Sequence, residues 1–152
     1  MRVLIVEDGA FNAFCLTRLL EGVCQQAQVT VVRDSLSALN YLTYNTPSLV
    51  IVDGYLSAGD GLNCHGPALV DALWQTNPHL PVIAWSDCEN MRQAFAEIFK
   101  QYNKPFNEYT CWTKVVSHER IRMSLPYLLA QGSGSDSFKS LQLREKAEIL
   151  HA

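Results

Sequence analysis

The chain has 152 residues, 48% hydrophobic and 18% charged, with twelve Lys and Arg against fifteen Asp and Glu; a chain of this length folds as one domain with a real core and needs no disulfides. A net charge of −3 without a basic cluster gives no electrostatic footprint for direct DNA binding. The five cysteines are odd in number and scattered, with no C-x-x-C pair, which argues against a disulfide framework and a zinc site and points to a reducing cytoplasm.

The opening MRVLIVED turns acidic too early for a signal peptide, and no later run approaches the ~18 apolar residues of a membrane span. Val3 to Val6 is an uninterrupted apolar run, as expected of a strand buried on both faces of a parallel sheet. It ends on Glu7-Asp8. From Ala10, Phe11, Phe14, Cys15 and Leu19 recur at helical spacing up to Gly22. Val29 to Val32 reads as a second strand. Asp34 or Ser35 then caps a helix carrying Leu36, Leu39 and Leu42, with Pro47 beyond its end.

Leu49 to Val52 is the third strand, running into Asp53 and a glycine-punctuated loop. Pro67 suits a first helical turn whose apolar face is Leu69, Ala72 and Leu73, and Pro78 closes that segment. Pro81 to Trp85 reads as strand four, Met91 to about Tyr102 as a helix, and Cys111 to Val116 as strand five. Ile121 to Leu129 follows as a last helix with Pro126 as a bend. Five alternations of strand and helix imply a doubly wound α/β sheet with right-handed crossovers. Residues 1–130 form the domain, 131–136 a Gly/Ser linker, and 137–152 a C-terminal tail with helical potential that docks back or awaits a partner.

Ligands of doubly wound sheets sit outside the carboxyl ends of the strands. Here those ends carry Glu7-Asp8, Asp53, Ser86 and Lys114. Each alone has a structural explanation: Asp8 and Ser86 as helix caps, Asp53 as a loop brace, Lys114 as a surface lysine. Together they form a constellation. Three clustered carboxylates require a compensating cation, and hard oxygen ligands in that number suit Mg²⁺. Lys114 then neutralises phosphoryl oxygens, Ser86 donates to one, and Asp53 is the natural nucleophile, because carboxylates form acyl phosphates.

These stretches resemble the receiver domain of bacterial two-component response regulators. RVLIVED resembles the family's first strand and acidic pair, DSLSALNYL its second helix, SLVIVDGYLSAGDGL its phosphoacceptor strand and loop, and PVIAWSD its fourth strand with hydroxyl. The resemblance implies a flavodoxin-like sheet of order 2-1-3-4-5. It also implies Mg²⁺ at Glu7, Asp8, Asp53 and the Tyr55 carbonyl, and a phosphoryl group accepted on Asp53 from a histidine kinase or phosphotransfer protein. Ser86 and Lys114 become switch residues, and the surface of the fourth helix and fifth strand shifts to meet a downstream protein target.

Several positions depart from the family pattern. Ser57 and Val115 stand where prolines are customary, so the turn after Lys114 is expected in the trans form. Cys111 stands at the switch aromatic, with Trp112 next to it. Lys104-Pro-Phe106 copies the family's lysine-proline motif, but Lys114 follows a β-rich run and is preferred. Cys64-His65 reads as solvent loop, and Trp74, Trp85 and Trp112 read as packing residues.

The expected protein is a single-domain signalling switch without substrate turnover, with homodimerisation left open. The alternatives are a phosphorylation-independent scaffold and, more remotely, a small aspartate-nucleophile phosphatase. The latter needs a second aspartate where Tyr55 stands.

Overall fold

A computed structural model of the chain describes residues 1–56 and 65–130. Ser57, Cys64, the expected linker 131–136 and the tail 137–152 lie outside the described residues. The elements alternate as β1 (Arg2–Val6), α1 (Ala10–Val23), β2 (Gln28–Val32), α2 (Ser35–Tyr44), β3 (Leu49–Asp53), α3 (Gly66–Thr76), β4 (Val82–Trp85), α4 (Glu89–Gln101), β5 (Cys111–Trp112) and α5 (His118–Ala130). The five strands pair in parallel in the order β2-β1-β3-β4-β5, the expected doubly wound arrangement.

Period-two alternation divides the buried strand residues between two cores. Leu4, Val6, Val50, Val52, Val82, Ala84 and Cys111 face the side covered by α2, α3 and α4. Val3, Ile5, Leu49, Ile51, Ile83, Trp85 and Trp112 face α1 and α5. Burial on both faces explains why β1, β3 and β4 read as continuous apolar runs.

Local signals set the helix starts. The Asp34 carboxylate accepts from the Ser37 amide at 2.7 Å, capping α2. Pro67 occupies the first turn of α3, where its missing N–H costs nothing. The Ser117 hydroxyl accepts from the Arg120 amide at 3.0 Å ahead of α5. No helix among the described residues is long and apolar enough to cross a membrane.

Strand five differs from expectation. The β-rich composition predicts a strand from Cys111 to Val116, but only Cys111 and Trp112 join the sheet. The reason lies in β4, which ends at Trp85 and leaves no ladder to extend. The last inter-strand bond runs from the Ser86 amide to the Trp112 carbonyl at 3.0 Å. Beyond it the Thr113 carbonyl accepts from the Trp85 indole at 3.1 Å, and the Lys114 amide donates to the Asp87 carboxylate at 2.8 Å. Lys114 therefore stands on a turn past the strand, and every described peptide bond is trans, including Lys114–Val115.

Candidate functional site

The register of the three central strands brings the carboxylates together. Val6 pairs with Val52, and Asp53 pairs with Trp85, so Glu7, Asp8 and Asp53 emerge side by side at the carboxyl end of the sheet. One oxygen from each lies within 4.8 Å of the others. Glu7 is 2% exposed and Asp53 7%; Asp8 is half-buried.

Lys114 enters this cluster from across the sheet. Its Nζ donates to Asp53 Oδ1 at 2.7 Å and to Glu7 Oε1 at 3.2 Å. The same ammonium stands 3.9 Å from the centroid of the Trp85 ring. Lys104 is elsewhere: its ammonium donates to the Pro78 carbonyl, ahead of β4, and faces Trp74 at 5.5 Å.

One ammonium does not balance Glu7 and Asp53 together, and Glu7 responds. Burial is the largest cause raising its carboxyl; contact with Asp53, whose carboxylate accepts a bond from Glu7 only when Glu7 holds a proton, raises it further. The Lys114 ammonium pulls the other way, and the carboxyl ends at about 7. When ionised, Glu7 leaves Oε2 buried with no hydrogen-bond partner. An orphaned oxygen on a residue of a three-carboxylate cluster fits a divalent cation of the magnesium type.

Ser86 is buried, and its Oγ accepts from the Cys88 amide at 3.1 Å, which leaves the hydroxyl proton available. Gly54 makes room for it: a Cβ there would come within 3.2 Å of Ser86 Oγ and overlap the Met91 side chain. A Cβ at Gly66 would overlap the Asp53 carbonyl and the Phe95 ring, so a side chain there would displace the end of β3. The Tyr55 side chain is half-exposed, packs edge-on against His65 at 5.3 Å, and lies 3.5 Å from Cys88 Sγ.

Two contributors were not assigned to the site from sequence. Trp85, read as packing, carries Lys114 on its ring, and Asp87 holds the Lys114 amide. Their place at the end of β4 and just past it is the one signal in the sequence, and it does not say which way an indole edge points.

A family model described as the response regulator receiver domain matches residues 3–110. No curated protein matches the sequence. Among solved structures, the receiver domain of an HD domain-containing protein from Pseudomonas fluorescens Pf-5 superposes with a TM-score of 0.70 at 19% identity, covering 94% of this chain and 92% of that one. The receiver domain of NtrX from Brucella abortus gives 0.68 at 22% identity, covering 84% and 98%. Another NtrX structure from Brucella abortus gives 0.67 at 19% identity; the match covers 99% of this chain and only 30% of the NtrX chain.

Proposed function

The chain belongs to the response regulator receiver domain family, and from that premise we propose that it accepts a phosphoryl group on Asp53 and signals through protein–protein contact. The observation that carries this is the Asp53 carboxylate at the end of β3, held at 2.7 Å by Lys114 and flanked by Glu7 and Asp8.

The donor is a phosphohistidine on a kinase or phosphotransfer protein. An Asp53 oxygen attacks phosphorus, the P–N bond breaks, and the imidazole nitrogen leaves with the electron pair and takes up a proton. Lys114 neutralises the negative charge that reaches the phosphoryl oxygens, and Ser86 donates its hydroxyl to one of them. Glu7, Asp8, Asp53 and the Tyr55 main-chain carbonyl would hold magnesium, which would supply further neutralisation of that charge. The product is the modified protein itself, so no substrate turns over.

Exposed Phe11 and Phe14 on the first turns of α1, and exposed Val115 beside Lys114, supply apolar contact for the donor near the acidic pocket. The α4–β5–α5 side serves a downstream target, in the cytoplasm, where Cys15, Cys88 and Cys111 stay as thiols. Residues 1–130 carry the switch, 131–136 link, and 137–152 offer a further contact; truncation after Gln131 lowers target affinity.

A phosphorylation-independent scaffold is the rival. It draws on Cys111, which is buried toward α4 where the resemblance implies a switch aromatic. Incubation with Mg²⁺ and acetyl phosphate separates the two. Intact mass spectrometry is expected to show one acid-stable, base-labile phosphoryl group that is absent from Asp53→Asn. No adduct on the wild-type protein would overturn phosphoryl acceptance in favour of the scaffold.

A further inference from the structure

We propose that Trp85 is the positioning residue that holds Lys114 over the carboxylate pocket. The inference rests on the reading of Lys114 as the phosphoryl-contacting cation. The β4–β5 ladder ends at the Ser86–Trp112 bond, so the turn that carries Lys114 has no strand pairing to fix it. Val115, 91% exposed, adds no packing on the far side. Val116 then returns to the core.

Trp85 supplies what the ladder lacks, twice over. Its indole N–H donates to the Thr113 carbonyl at 3.1 Å, which fixes the backbone one residue before the lysine. Its ring face lies 3.9 Å from the Lys114 ammonium, close enough for direct attraction between the cation and the ring quadrupole. The ring is 1% exposed and locked in the core facing α1 and α5, so it is a rigid platform. The ammonium is thereby held among three directions at once, the ring, Asp53 and Glu7. Asp87 holds the Lys114 amide at 2.8 Å and completes the brace.

The ring also works against one alternative. A lysine paired only with carboxylates would follow them wherever charge moved, whereas one resting on an indole face keeps its height above the sheet. Trp85 therefore sets the point from which Lys114 meets the incoming phosphoryl group.

The test uses the full chain and two readouts. Phosphorylation by acetyl phosphate with Mg²⁺ is timed for wild type, Trp85→Phe, Trp85→Leu, Lys114→Ala and the Trp85→Leu/Lys114→Ala pair. Trp85→Leu is expected to slow the reaction about tenfold, as misplacement of a charge-stabilising group does. In the Lys114→Ala background the same change should matter less than about twofold, because the two act as one unit. Trp85→Phe, which keeps a ring in the core but loses the N–H, is expected to fall between and guards against a folding defect. An equal loss in both backgrounds, or full activity of folded Trp85→Leu, would overturn the proposal.

The second readout needs no phosphorylation. Ring current should move the Lys114 ε-methylene protons upfield of the ordinary lysine position in the wild-type protein, and Trp85→Phe should reduce the displacement. Ordinary positions in the wild type would refute the contact even if Asp53 takes up phosphate. Displaced protons in a protein that forms no adduct would instead refute the acceptor reading and leave the Trp85 brace standing.

Discussion

Glu7 keeps its proton in the folded chain to about pH 7 because it is buried against Asp53, whereas an unfolded chain releases it near 4.5. The native state therefore binds the extra proton between those values, and the stability this gives is lost as pH rises through about 7. In chelator, the melting temperature is expected to fall from about pH 5 to about pH 8. Added Mg²⁺ should restore it at the upper end, and Glu7→Gln should flatten the profile. A metal-free profile that rises over that range would contradict the burial argument. Gly66 makes a second prediction at this scale. A Cβ there would overlap the Asp53 carbonyl, which cannot yield as a side-chain tip can, so Gly66→Ala should cost about 1–3 kcal/mol in urea unfolding.

Among the elements, β5 shows how far a short strand can be supported by side chains. Trp112 points away from α4, is 1% exposed, and donates its indole N–H to Ser124 Oγ of α5 at 2.9 Å. Ser124→Ala strands that donor inside the core and should cost about 1–3 kcal/mol, measured by urea unfolding. Adding Trp112→Phe should lose less than the sum of the two single changes, because the shared bond is broken once. Little change on Ser124→Ala would mean that water reaches the indole. The strands buried on both faces were legible in the sequence as apolar runs; β5 was overextended because Thr113, Lys114, Val115 and Val116 have strand-like composition but no partner ladder. The carboxylates were equally legible, since each stands where a buried run stops. The Trp85 brace was not: periodicity places a tryptophan in a core but is silent on where its N–H and ring face point.

At the scale of the described residues together, one sheet supports two cores and a charged pocket at its carboxyl end. The sheet's two margins are unequal. β2 runs for five residues and β5 for two. Unpaired backbone along a sheet margin is what a foreign strand seeks, and a margin of two residues offers almost nothing to grip. Strand addition is thus expected at the β2 margin rather than on the flank that carries Lys114 and α5.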